Sequence, residues 1–263
     1  MNNDTPSDLH LKLRNLESAD YPQVAQLMEA VYADIGGAWS HDSLLALIKE
    51  FPEGQIAIQD NSRIIAVALT VKCRYDRFSR SHTYDDLIGR RDRIRHAPDG
   101  DALYGMDVFV SREYRGLRLG RRLYDARKEL CRNLNLRAIL AGGRIVKYHE
   151  HADMTPAEYI EAVRRREVHD PILSFQLAND FEVKRLMKGY LPEDEKSLGY
   201  ATLLEWNNIL YEPEGIAVEE IRKTTVRVGI LQWQMRLTDS FETWLYQSHD
   251  KVESGKAGRD RAF

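Results

Sequence analysis

The chain has 263 residues, 43% of them hydrophobic and 30% charged, which is enough apolar material for the core of one large domain or two small ones. A formal net charge of -3 and a pI near 6.3 give no broad basic footprint, so no nucleic-acid partner is expected. No apolar run approaches the roughly 20 residues that span a bilayer, and the opening MNNDTPSDLH has no apolar signal core. A cytoplasmic protein with no membrane partner and a disordered stretch at 1–10 is expected. Cys73 and Cys131 lie far apart in apolar segments without zinc-type spacing; they read as reduced, structural thiols, and no metal is expected.

In chain order, Leu11–Leu16 alternates like a first strand, and Ser18-Ala19-Asp20 opens a helix through Val24, Leu27, Met28 and Val31. Ser40 or His41-Asp42 opens a second helix through Leu44, Leu45 and Ile48, which Phe51-Pro52-Glu53-Gly54 ends as a turn. Gln55–Gln59 and Ile64–Val71 are β-rich, joined by the hairpin signal Asp60-Asn61-Ser62. Residues 74–100 interrupt this pattern with a polar stretch anchored by Tyr75, Phe78, Tyr84 and Leu87; an insertion of that length predicts a functional surface element.

Tyr104–Leu136 is the densest signal: a strand at Met106–Val110, a loop rich in Arg and Gly at Ser111–Gly120, then a helix. Its stripe is predicted at Leu119, Leu123, Ala126, Leu130 and Leu134. Strand, glycine loop and helix start together form an anion cradle, because free N–H groups and the positive end of the helix dipole meet there. Arg115, Arg118, Arg121 and Arg122 crowd that start, where exposed cations cost roughly 0.3–1 kcal/mol each against the dipole. A bound polyanion would reverse that sign; a solvated basic helix start is the alternative.

Arg137–Gly143 reads as the next strand, and 144–170 as a second insertion holding a helix start, Thr155-Pro156-Ala157-Glu158. His149-Glu150-His151 could be a metal pair, a base, or a solvated trio. Ile172–Phe181 is a short apolar helix ending at Asn179-Asp180. The closing strands are predicted at Glu182–Met187 and Tyr200–Trp206.

Arg115-Gly116-Leu117-Arg118-Leu119-Gly120 resembles the coenzyme A loop of the GNAT N-acetyltransferases, Gln/Arg-x-x-Gly-x-Gly/Ala, with Arg118 in place of the middle glycine. The β-α-α-β-β order before it matches as well, so the resemblance covers nearly all of 11–207. It implies a mixed, mostly antiparallel sheet, flanked by helices and splayed at the CoA site, within a domain at 11–212. It also implies acetyl-CoA as cosubstrate, held by Phe109, Val110, Arg115, Gly116, Leu117, Arg118, Leu119, Gly120 and Arg121, and direct transfer to an amine acceptor in a ternary complex. Phe175 and Phe181 match the aromatics of the family's Phe-Tyr-x-x-x-Gly-Phe segment. Gln176 stands where Tyr, the usual acid for the CoA thiolate, is common, and Asp180 where Gly is common. Asp107, mid-strand among apolar residues, is the candidate base, with a structural carboxylate as the alternative; His149 is a weaker candidate. Gln176 and Arg118 also keep open a non-catalytic acyl-CoA-binding or regulatory module.

After a linker at 213–225, Val226–Gln234 and the helix start at Ser240 resemble the opening of the carbon–nitrogen hydrolase (nitrilase) superfamily. The whole then resembles the first half of a bacterial GNAT–nitrilase fusion, with 226–263 a truncated start of the second domain. No downstream residue supplies that superfamily's Cys. An unpaired apolar strand there would pack on the first domain or on another chain, so a homodimer is among the partners expected.

Overall fold

The computed structural model describes residues 9–31, 39–88 and 96–213. Of the chain's two units, Met1–Gly215 and Ile216–Phe263, the second lies wholly outside the described residues. So do residues 1–8, all of the expected linker but its first residue, and the nitrilase-like segment at 226–263.

The elements run β1 (Leu11–Asn15), α1 (Tyr21–Val31), α2 (His41–Glu50), β2 (Ile56–Asp60), β3 (Arg63–Cys73), α3 (Tyr75–Phe78) and α4 (Tyr84–Ile88). There follow β4 (Ala102–Val110), α5 (Leu119–Asn133), β5 (Ala138–Arg144), α6 (Pro156–Arg164), α7 (Pro171–Leu177), β6 (Glu182–Lys188) and β7 (Tyr200–Asn207). The seven strands form one sheet in the order β1-β2-β3-β4-β5-β7-β6, antiparallel everywhere except between β4 and β5.

Alternation along β3 builds two cores. Val67, Leu69, Val71 and Cys73 face α1 and α2 in a cluster with Val24, Met28, Leu44 and Leu47. Ala66 and Ala68 point the other way, where small side chains let Leu119 and Leu123 of α5 approach the sheet. Helix α6 of the second insertion and α7 after it add to that second face: Tyr159, Ile160, Val163 and Leu173 pack with Tyr124, Ile139 and Leu204. The Thr155–Glu158 capping box forms as its spacing predicts, and Pro156 takes the first turn. In the first insertion, Phe78 and Leu87 are buried against the first core, so the polar stretch is pinned by its apolar anchors.

The buried face of α5 departs from the predicted stripe. Leu119 and Leu123 are buried, but the face continues through Tyr124, Arg127, Lys128 and Cys131, and Leu134 is exposed. At about 100° per residue the buried set centres near Arg127, turned to one side of Leu123, whereas Ala126 and Leu130 fall on the other side of it. A stripe assigned by hydrophobicity alone passes over two cationic positions. Both cysteines are free and buried; burial pushes the Cys131 thiol up to about 12.

Arg127 explains why a cation is admitted. The β3–β4 register jumps from Leu69↔Asp107 to Thr70↔Gly105, leaving Met106 as the extra residue of a bulge in β4. Arg127, 2% exposed, sits against that bulge. Its Nε donates to Thr70 Oγ1 at 2.9 Å, and its Nη2 to the carbonyls of Leu69 and Asp107, both at 3.1 Å. The guanidinium needs Gly105: a Cβ there would lie 2.6 Å from Nη1. Burial lowers the Arg127 pKa, while Tyr124 and Asp107 act to raise it.

Replacing Arg127 by Met would leave these acceptors buried without their donor. Arg127→Met is expected to cost at least about 3 kcal/mol, read as a lower urea midpoint at unchanged m. An unchanged midpoint would remove Arg127 from this role.

Candidate functional site

β4 and β5 pair only through Leu103↔Ile139, Tyr104↔Leu140 and Gly105↔Ala141, although β4 runs on to Val110 and β5 to Arg144. Beyond Gly105 they splay, and a cavity of about 1560 Å³ opens along the gap. That exceeds the roughly 300–1,000 Å³ of a site for one small ligand and suits two reactants, one of them long.

One set of lining residues comes from the end of β4, the following loop and the start of α5. Phe109, Val110, Arg115, Gly116, Arg118, Leu119, Gly120 and Arg121 all line the cavity; Leu117 does not, and packs instead into the cluster under α5. Gly116 has φ 88° and Arg118 φ 57°, both left-handed. Arg118 is the N-cap of α5 but makes no side-chain capping bond, so the first-turn N–H groups carry no cap from its side chain. Gly120 is required by packing rather than by dihedral, since a Cβ would stand 3.0 Å from Phe175 Cζ on α7. Arg118, at the middle glycine position of the resembled pattern, thus adopts the left-handed backbone that glycine favours. Asp180 does the same at the second lost glycine, with φ 62° and an ion pair to Lys128 at 2.8 Å.

Phe175 and Gln176 of α7 line the same cavity. Gln176 is buried and hydrogen-bonded to Tyr124, yet its Oε1 has no partner among the described residues. A Cβ on Gly143 would stand 2.4 Å from that oxygen, so the Gln176 side chain takes this position beside β5 because residue 143 is glycine. A buried acceptor without a protein donor is left to water or to a bound molecule to satisfy.

The other set of lining residues includes Trp39, Tyr84, Asp107 and Tyr190. Asp107 Oδ2 accepts from Trp39 Nε1 at 2.9 Å and from Tyr84 OH at 3.3 Å. Tyr84 stands at the start of α4 inside the first insertion; its N–H donates to the Tyr190 carbonyl at 2.9 Å, and the two rings meet at 6.0 Å. The insertion is thereby tied to the β6–β7 loop. Tyr190 lies against Gly142, where any Cβ would strike its ring and hydroxyl. Trp39, Tyr84, Tyr190 and Arg127 gather from distant segments, and no local pattern marks them as companions of Asp107.

The β6–β7 loop is stapled to the end of β5 by Arg144, whose Nε and Nη2 donate to Asp194 at 2.7 and 2.6 Å. Burial acts to raise the Asp194 pKa, but hydrogen bonds from Arg144 and Ser197 outweigh it and hold the carboxyl below its ordinary value. His149 sits exposed on the cavity rim, its Nδ1–H donating to the Lys196 carbonyl at 3.0 Å, with Glu150 4.0 Å from Nε2. Among the described residues no three His, Cys, Asp or Glu side chains gather as a metal site, and no helix is long and apolar enough to cross a membrane.

A splayed β4–β5 pair with a glycine–arginine loop leading into α5 defines an acyl-CoA transferase scaffold, and residues 12–152 match the Acetyltransferase (GNAT) family. The chain belongs to that family. Its relatives include the "Uncharacterized N-acetyltransferase YkwB" of Bacillus subtilis, 33% identical over 206 residues that cover 77% of this chain and 91% of YkwB. The "Probable hydrolase YhcX" of the same organism is 37% identical over 248 residues, 94% of this chain but 48% of YhcX, so the chain spans about half the length of that relative. Among solved structures, the loading GNATL domain of CurA from Lyngbya majuscula superposes with a TM-score of 0.67 at 18% identity, covering 75% of this chain and 98% of that one. The GphF GNAT-like decarboxylase in complex with isobutyryl-CoA superposes with a TM-score of 0.66 at 18% identity, covering 74% and 98%. These likenesses establish the shared fold.

Two stability measurements check this geometry. Arg118→Gly relieves a left-handed side chain and is expected to stabilise by about 0.5–1 kcal/mol, with a rise in Tm; a fall would mean that the Arg118 side chain makes a compensating contact. Asp194→Asn is expected to cost about 3 kcal/mol at pH 7. Because the folded Asp194 pKa is depressed, this stabilisation is present above the unfolded carboxylate range and lost as pH falls through the folded value. The gap between wild type and variant should therefore close in urea titrations below about pH 4.

Proposed function

We propose that this domain transfers the acetyl group of acetyl-CoA to an amine acceptor in a ternary complex. The observation that carries the reading is the continuity of one cavity. It joins the basic, glycine-containing start of α5 to the chamber of Trp39, Tyr84, Asp107 and Tyr190, through the splay between β4 and β5. The diphosphate of CoA fits the first set of residues, where first-turn amides and Arg115, Arg118 and Arg121 offer donors and positive charge. The amides of its arm suit the unpartnered Oε1 of Gln176 beside Gly143. The thioester supplies an activated acetyl group.

Asp107 serves the acceptor. A carboxylate held by Trp39 and Tyr84 is a fixed negative end, and aromatic faces beside it favour a cation. It binds the acceptor as an ammonium and keeps the nitrogen at the splay. We read the first insertion as part of this pocket, and His149 as a contributor at the rim. In the longer proteins typified by YhcX, a hydrolase-type domain is proposed to follow this one, beginning within 226–263.

Turnover is tested with acetyl-CoA and a panel of small amines, amino acids and peptides, read as free thiol released. Coenzyme A bound without thiol release on any amine would instead favour the non-catalytic acyl-CoA module, which Gln176 in the usual acid position supports. Asp107→Asn is expected to raise the acceptor KM at least about tenfold while leaving CoA affinity in place. A loss confined to kcat would make Asp107 the base itself.

A further inference from the structure

One buried network has no part in the contacts described so far. His82 Nε2 lies 2.8 Å from the hydroxyl of Tyr104, and that hydroxyl lies 3.1 Å from the hydroxyl of Tyr190. At the other side of the imidazole, His82 Nδ1 lies 2.8 Å from the carbonyl of Arg80, at the surface. Tyr104 is fully buried and Tyr190 nearly so; of the three, Tyr190 alone lines the cavity. The rings of Phe78, Tyr104 and Tyr190 pack edge-on around His82 at 5.1, 5.4 and 5.8 Å, which holds its plane.

The chemistry of the partners fixes the direction of every proton in this chain. A carbonyl only accepts, so His82 Nδ1 carries the hydrogen, and in the neutral ring Nε2 accepts. Tyr104 has a single O–H, and it is committed to Nε2. Tyr190 must therefore donate to Tyr104. The cavity is left facing an oxygen of Tyr190 with lone pairs to offer and no hydrogen of its own to give. Protonating His82 at Nε2 reverses the order: the imidazolium donates to Tyr104, Tyr104 donates to Tyr190, and the Tyr190 hydrogen turns to the cavity. A network that only satisfied buried hydroxyls would not need a titratable end near solvent and an acceptor end in the site.

We propose that His82, Tyr104 and Tyr190 are a proton outlet for the acceptor amine, with Tyr190 touching the amine and His82 as the terminal base. This rests on the acetyl-transfer reading. The ammonium passes one proton to Tyr190, Tyr190 passes its own to Tyr104, and Tyr104 passes its own to His82 Nε2. Both phenols end neutral and His82 ends as imidazolium. The freed nitrogen pair forms the C–N bond to the acetyl carbon, the C–S bond breaks, and its electron pair leaves on sulfur. The nitrogen's second surplus proton neutralises the thiolate, and once product has left, the first returns along the same chain to water in the cavity, which restores Nδ1–H with an accepting Nε2. Asp107, whose charge acts on Tyr190, keeps the amine at the head of the chain. No phenolic residue is then required at position 176 for this proton.

The titration of His82 fits that duty. Burial, the largest effect, lowers its pKa below the usual 6.5; Arg77 also lowers it, while the Arg80 carbonyl and Asp86 raise it. The ring is thus neutral and ready to accept at pH 7. The remaining groups facing it, Tyr104 and Tyr190, are held protonated by burial.

The test uses Tyr104→Phe and His82→Gln, neither of which alters a cavity-lining side chain. Both are expected to lower kcat roughly 10²-fold with both KM values within twofold. The wild type is expected to show an acid limb in kcat/KM below pH 6.5, and both variants should abolish it. Variants that keep wild-type kcat and the acid limb would overturn the relay while leaving acetyl transfer standing. Nitrogen-15 NMR of His82 in the wild type tests the ordering without any substitution: Nδ1–H with an accepting Nε2, titrating at the pH of the acid limb, is the expected result. An Nε2–H tautomer, or a titration apart from that limb, would overturn it even if the variants fail to fold. Should the wild type release no thiol with any amine, the functional reading fails and the relay's catalytic duty with it, whatever the tautomer.

Discussion

The hydrogen bonds of Arg127 hold open the geometry on which the site depends. A bulge in β4 turns carbonyls away from the regular ladder, and a buried carbonyl without a donor is costly. One guanidinium, presented by α5 and admitted by a glycine at 105, satisfies the carbonyls of Leu69 and Asp107 together with the hydroxyl of Thr70. The same helix carries the basic loop at its N-terminus. Anion cradle and bulge are consequently fixed to one rigid rod, so the distance between the two halves of the site is not left to a flexible loop.

The two halves differ in how they are built. The half proposed for the cofactor is local: β4, its loop and α5 follow one another in sequence, and glycines and arginines of that loop line the cavity. The acceptor half is assembled from Trp39 before α2, Tyr84 in an insertion, Asp107 on the bulged strand and Tyr190 at the turn after β6. Its cohesion comes from tertiary hydrogen bonds, Trp39 and Tyr84 to Asp107, and Tyr84 to Tyr190. Loops held by such bonds can vary without disturbing the scaffold of β4 and α5.

That division also governs what could be read from residues alone. The order of the strands and main helices, the loop before α5 and the Thr155 cap were legible because each rests on short-range pattern, while the splayed strand pair followed only from the family resemblance. The stripe of α5 was misplaced by a residue or so, since Arg127 and Lys128 are buried through specific partners that hydrophobicity does not register. Arg118 and Asp180 read as departures from glycine positions, yet both keep a left-handed backbone, which a residue name does not reveal. Asp107 and the first insertion were singled out from the sequence, but Trp39 and Tyr190 as companions of Asp107, and the chain from Tyr190 to His82, were not, because contact and not spacing joins them.

Gly142 stands where the two halves touch. The absence of a side chain on β5 is what allows the hydroxyl of Tyr190 to reach the edge of the splay. Even one methyl group there would push the phenol aside without altering a charge, a loop length or the phosphate cradle. Position 142 is therefore the point at which one added carbon would rebuild the wall of the chamber.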